Sequence, residues 1–270
     1  MQAMAGEPAP MNQGLWWMPR HVVSGRTLRL RLGPLILKAH RSGSEWLLSA
    51  EEVDETEAVP GVMLEMSDER PDDKYVRYAC RDPQDRIAFR PMLADRPMVV
   101  RPRQAVFVLP GEETIFYIST PVWVGVVAGE NDQLLREIPA SRPSDTWFGP
   151  STRTGEICYA ARTQARNVLA EVPMRAYRVV TALRVENRAD SPLPVEKLSL
   201  PAPLLSTWGR EDGSLWSDTV HLQRVTDSDM AAIRVEPGPP SYASDATLLA
   251  GPRMQAGKGG LVRAFSGFFT

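Results

Sequence analysis

The chain has 270 residues, 43% of them hydrophobic and 24% charged, a balance that excludes intrinsic disorder. Its formal net charge is −2, with 31 Lys and Arg set against 33 Asp and Glu. The two signs are interleaved throughout, so no basic stripe is available to grip a nucleic-acid backbone, and nucleic acid is not the expected partner. The longest apolar run, residues 122–128, falls far short of the roughly 20 residues that span a bilayer.

The 24 prolines cannot donate to sheet ladders and break helix interiors, so they favour many short elements joined by turns. A chain of this length accommodates two domains of roughly 100–150 residues. Residues 1–14 are small, polar and proline-containing and read as a loose arm with no secretory signal pattern. The first periodic segment is 27–32, with leucines at 28, 30 and 32 on one face and Thr27, Arg29 and Arg31 on the other, the signature of a half-buried strand. Gly33-Pro34 ends it and residues 35–38 return; Ser42-Gly43-Ser44 is a turn before a strand at 45–48. A strand is expected around 62–66 within an otherwise looping, acidic stretch.

Residues 98–101, 105–109, 114–119 and 122–128 form a strand–turn–strand series, with Pro110-Gly111-Glu112 as one turn. Residues 130–138 carry Leu134, Leu135 and Ile138 at helical spacing, which predicts a short helix or turn, followed by Pro139 and Pro143. A join between two halves is therefore expected near residue 140. Beyond it, strands are expected at 156–161, 177–186, 195–200, 215–224 and 231–235. Ala165, Val168, Leu169 and Val172 predict one amphipathic helix before Pro173. The expectation is thus a mainly β protein: two sandwich-like (Ig-like) antiparallel halves, residues 15–140 and 141–250, with one or two short helices.

Residues 251–270 stand apart, with a glycine-rich linker at 256–260 and then an apolar stretch. Drawn as a helix, this stretch clusters Leu261, Phe265, Phe268 and Phe269 on one side. Exposed apolar clusters of this kind seek a cover, so the four residues are expected to bind a protein partner, to pack on the chain itself, or to make weak contact with a membrane surface.

Motifs for chemistry are sparse. His21, His40 and His221 are far apart. On a strand, Asp218 and His221 point to opposite faces, so no metal site is expected. No Gly-x-Ser-x-Gly elbow occurs, and Gly257-Lys258-Gly259-Gly260 lacks phosphate-loop spacing; no cofactor is implied. Cys80 and Cys158 lie outside any metal-ligand spacing and are expected as reduced thiols, with the cytoplasm as compartment. Trp208 and Trp216, with Asp212 between them, suggest a rim loop or a packed hairpin.

The sequence Asp145-Thr146-Trp147-Phe148-Gly149-Pro150, followed by Gly155-Glu156-Ile157-Cys158-Tyr159-Ala160, resembles a prokaryotic family known as domain of unknown function 432. Residues 96–100, 110–112, 185–188 and 198–201 agree with it, and the resemblance spans roughly residues 26–235. It implies an archaeal or bacterial origin and supplies no activity or catalytic residue. Two adjacent aromatics on a strand cannot both face one core, so Trp147 or Phe148 is expected to be exposed or to plug the seam between halves. Together with Arg153, Glu156 and Tyr159 they make the candidate ligand-binding set. The leading expectation is a non-enzymatic module that binds a protein partner or forms a homo-oligomer. The alternatives are an enzyme or a small-molecule or carbohydrate binder with Glu156, Tyr159 and Arg153 in a cleft between halves, and a peripheral membrane accessory docking through its tail.

Overall fold

The computed structural model describes residues 15–54, 61–71, 74–80, 84–151, 153–228, 230–255 and 261–266. Among these the protein is mainly β, and helical structure is confined to the three-residue 3₁₀ turns Leu169–Glu171, Ala202–Leu204 and Ser241–Ala243. Two compact units divide the chain: residues 1–89 with 125–138, and residues 90–124 with 139–270. The single join expected near residue 140 is thus replaced by three crossings. The reason is sheet pairing, because Glu113–Pro121 lies antiparallel along Arg178–Asn187 over nine consecutive residue pairs, which commits the 90–124 segment to the second unit.

In the first unit a five-stranded sheet runs in the order Val62–Ser67, Thr27–Leu32, Leu35–Ser42, Glu45–Glu52 and Val76–Ala79, every pair antiparallel. Its alternation is that of the sequence: Leu28, Leu30 and Leu32 are buried together with Leu35, Leu37 and Ala39. Gly33 and Gly43 take the left-handed φ that the two connecting turns require, +59° at each. A second sheet orders Arg20–His21, Arg86–Met92, Trp123–Ala128 and Gln133–Pro139.

That last strand replaces the helix expected at 130–138. Gly129 and Asp132 adopt positive φ and reverse the chain. The Arg86 guanidinium holds the reversal through the Gly129 carbonyl and the Asp132 carboxylate. Leu134 is exposed, Leu135 is half-buried and Ile138 is buried, so the three apolar residues that fit one helical face are divided between the two faces of a strand. The amphipathic helix expected at 165–172 is likewise reduced to the turn Leu169–Glu171. Ala165 and Arg166 instead spend their backbone groups on bridges to Pro102 and Tyr117.

The second unit holds an eight-stranded sheet in the order Thr247–Ala250, Thr207–Gly209, Leu215–Ser217, Arg178–Asn187, Thr219–Arg224, Met230–Glu236 and Leu261–Arg263, with Glu113–Pro121 on the other edge of Arg178–Asn187. A five-stranded sheet runs Ser144–Ser151, Thr154–Ala160, Met98–Val100, Lys197–Leu200 and Phe265–Ser266, and a two-stranded ribbon joins Leu193–Val195 to Val106–Val108. The pairing is not wholly antiparallel as expected: Arg178–Asn187 runs parallel to both Leu215–Ser217 and Thr219–Arg224, and Thr154–Ala160 runs parallel to Met98–Val100.

The strand expected at 215–224 is split by Asp218. Its side chain is buried and accepts from the Ser206 backbone N–H at 2.6 Å, the Trp208 indole N–H at 2.8 Å and the Gly238 backbone N–H at 3.0 Å. Three donors on one carboxylate satisfy its desolvated charge. They also tie the segments at 206, 208 and 238 to the strand break.

Candidate functional site

The Trp147-Phe148 segment lies on strand Ser144–Ser151, which pairs with Thr154–Ala160 as a hairpin with a bulge between Phe148 and Ser151. Directly opposed residues share a face and neighbours along a strand do not. Phe148 is accordingly buried and Trp147 is 43% exposed. The register sets Phe148 opposite Glu156 and Asp145 opposite Tyr159, so Glu156 and Tyr159 fall on opposite faces. Arg153 sits exposed at the tip. The five candidate residues therefore do not converge.

The hairpin's two glycines are required by close approach. A Cβ on Gly149 would come within 2.3 Å of the Thr154 carbonyl oxygen, and one on Gly155 within 2.6 Å of the Phe148 carbonyl oxygen and 2.8 Å of the Trp147 Nε1. The Trp147 indole lies over Gly155 and donates its N–H to the Ser151 carbonyl at 2.8 Å. This exposed ring is thus fixed in place.

Tyr159 is buried and tied into a cluster of its own. Its hydroxyl donates to Asp95 at 3.0 Å, the Arg96 guanidinium stands 5.3 Å over its ring, and Trp123 packs beside it at 5.5 Å. Arg96 also pairs with Asp145 at 3.2 Å. Burial, then the Asp95 carboxylate, raises the phenol above its ordinary value, so it remains protonated near neutrality. Glu156 keeps exposed surface, yet crowding by the hairpin lifts its carboxyl above the usual range. Cys158 on the same face is pushed up to about 12 by burial and then by Glu156. That thiol is an inert core group rather than a nucleophile.

What Trp147 does line is a concavity of about 310 Å³. Val99, Thr146 and Ala160 line it together with the cations Arg101, Arg162 and Lys197, and its described lining residues include no carboxylate. Strand register brings these distant segments together. Met98–Val100 is flanked by Thr154–Ala160 on one edge and by Lys197–Leu200 on the other. Residues 161–165 then arch along it, anchored at one end by the Ala161 N–H to the Val99 carbonyl (2.9 Å) and at the other by the Ala165 N–H to the Arg101 carbonyl (2.8 Å). At the crest Thr163 donates to the Ser119 carbonyl at 2.6 Å and accepts from the buried Arg178 guanidinium at 3.0 Å. A pinned rim fixes the backbone that carries the arch's residues before any ligand arrives. Sequence reading flagged Trp147 but missed Arg101, Arg162 and Lys197, because in a chain of interleaved charges only the sheet register gathers them.

The tail is in β form in its described part, where a helix had been drawn. Leu261 lies on the strand Leu261–Arg263, which pairs with Met230–Glu236. Phe265 pairs with Leu198 and is fully buried; Phe268 and Phe269 lie outside the described residues. Trp208 and Trp216 face each other across a hairpin whose turn is held by Asp212. Among the described residues no group of three or more His, Cys, Asp or Glu could hold a metal ion, and no helix is long and apolar enough to cross a membrane.

No curated protein and no solved structure gives a significant match to the chain. The family model described as "Protein of unknown function (DUF432)" matches residues 16–270, which takes in every sheet described above and the tail strands. The chain belongs to the DUF432 family.

Proposed function

We propose that this protein is a non-enzymatic binding module whose second unit recognises an anionic ligand, one that pairs a phosphate or carboxylate with a flat ring. The observation that carries this reading is the lining of the Trp147 concavity, which brings three cationic residues together with Trp147 and, among its described residues, no carboxylate. Arginine forks match phosphate and carboxylate geometry, and an exposed tryptophan offers a stacking face. The reading is one of binding because the register parts Glu156 from Tyr159, which leaves the enzymatic alternative without its acid–base set. With both cysteines unbridged, the proposal keeps the cytoplasm as its compartment.

The test is calorimetric titration of the full chain with adenosine monophosphate and with inorganic phosphate at low ionic strength. The nucleotide is expected to bind more tightly than phosphate alone, and Trp147→Ala should remove that difference. Arg101→Gln should weaken both, about tenfold for the loss of one charge-assisted contact. Added salt should weaken both as well. Equal affinity in the native chain and in an Arg101→Gln, Arg162→Gln, Lys197→Gln variant would overturn the reading, as would no binding of either probe.

A further inference from the structure

The eight-stranded sheet carries a second concavity, on residues that the Trp147 site does not use. Glu113–Pro121, Arg178–Asn187, Thr219–Arg224 and Met230–Glu236 lie side by side, and their register gathers a row of polar side chains on one face. Ile115 is opposite Arg184, Arg184 is beside His221, and Thr219 is opposite Glu236. From the end of the last strand, Pro237-Gly238-Pro239-Pro240 rises as a wall and brings Tyr242 back against Tyr117, edge to face at 6.2 Å. Trp216 stands behind at 5.2 Å. The space enclosed is about 230 Å³.

The wall is rigid for stated reasons. Three prolines fix φ, Gly238 takes a φ of +118° that other residues avoid, and its N–H is held by the buried Asp218 at 3.0 Å. The charged groups are paired. Arg184 pairs with Glu113 at 2.8 Å and keeps a buried Nε–H with no partner among the described residues. Glu236 pairs with His221 at 3.0 Å. Tyr242 is 40% exposed, which leaves ring surface free at the mouth.

The lining carries one cation, Arg184, and one carboxylate, Glu236, and each already has a partner, so the site offers an ion no unpartnered charge. Aromatic surface combined with planar donors and acceptors suits a ring that is apolar on its C–H face and hydroxylated at its rim. A polyproline peptide would need ridged, roughly parallel aromatics, whereas these two rings stand edge to face and offer one ring-sized platform. We propose that this proline-walled pocket is a second binding site, one that takes a neutral sugar ring.

Titration of the full chain with maltotriose and with cellotriose, followed by heteronuclear NMR shifts and calorimetry, tests this. One or both are expected to bind in the millimolar range usual for small, uncharged ligands, with shifts centred on residues 115–117, 182–184 and 236–242. Tyr242→Ala and Arg184→Gln should each weaken binding at least about tenfold, and Tyr242→Phe, which keeps the ring, should restore most of it. Far-UV circular dichroism and thermal melting show that each variant is folded. The inference is overturned if neither saccharide binds, if folded Tyr242→Ala and Arg184→Gln bind as the native chain does, or if a proline-rich peptide takes the pocket in their place. None of these outcomes depends on whether the Trp147 concavity binds anions.

Discussion

The buried Asp218 carboxylate gives a graded test of how the second unit is held together. Its Oδ1 accepts from the Trp208 indole and the Gly238 amide, and its Oδ2 from the Ser206 amide. Trp208→Phe removes one donor from a partly buried ring and leaves the other two bonds intact, a loss of about 1 kcal/mol. Asp218→Asn keeps one carbonyl for the first pair of donors but turns an NH₂ toward the Ser206 N–H, donor against donor. That orphans a buried amide, for about 2–3 kcal/mol. Asp218→Ala orphans all three; water can reach the half-open Trp208 but not Ser206, which is buried, so the total is about 3–5 kcal/mol. At about 2–4 °C per kcal/mol for a domain of this size, Asp218→Ala melts on the order of 10 °C early. Differential scanning calorimetry, with urea unfolding followed by circular dichroism, measures the series. An Asp218→Ala variant within about 1 kcal/mol of the native chain, or a Trp208→Phe that costs more than Asp218→Asn, would refute the reasoning.

Other substitutions probe separate features. Gly155→Ala places a methyl against the Phe148 carbonyl and the Trp147 indole and should cost about 1–3 kcal/mol. Gly61→Ala meets nothing within 4 Å and should be neutral or slightly stabilising in the same melts. His40 is buried beside Thr27; because Thr27 gives its hydroxyl proton to the Glu69 carbonyl, His40 Nδ1–H is the donor to Thr27. Burial, then Arg70, lowers the His40 pKa below 6.5. The unfolded chain therefore takes up the proton first, and stability falls as pH drops through and below 6.5. Unfolding free energies from about pH 8 to about pH 5 should fall, and fall less in His40→Gln; an identical slope would exclude His40. Phe265→Ala should cost about 3–5 kcal/mol, capped by the docking energy of the tail strand. Unchanged stability on deleting 261–270 would show that the tail contributes nothing to the fold.

Period-2 alternation is a local property, and where it was strong the strands were legible: Thr27–Leu32, Arg178–Asn187 and Met230–Glu236 fall within a residue or two of their expected limits. The failures were non-local. Leu134, Leu135 and Ile138 fit a helix by spacing, but a neighbouring strand and the turn at Gly129 decided otherwise. Asp218 looks like one more polar residue in an alternating run until the loops that donate to it are known. The candidate site shows the same limit. Adjacent aromatics announced that Trp147 and Phe148 would be parted, one of them exposed or plugging a seam; strand geometry does part them, and Trp147 is the exposed one. Nothing in the order of residues said that Arg101, Arg162 and Lys197 would line one concavity with Trp147, because three strands and an arch must first be paired.

The Trp-Phe-Gly and Gly-Glu-x-Cys-Tyr segments can now be divided between building and binding. Phe148 and Cys158 are buried on one face of the hairpin, and Tyr159 is buried on the other with its hydroxyl on Asp95. Gly149 and Gly155 are there because backbone and indole leave no room for a side chain. Each of these would be needed whether or not the protein bound anything. Trp147 differs: it keeps 43% of its surface exposed while its N–H is tied down. Single exposed apolar side chains are ordinary on a folded surface, so it is the anchored N–H and not the exposure that sets Trp147 apart. On the reading proposed above the hairpin serves as a mount for this side chain, and a ligand is to be sought first beside it.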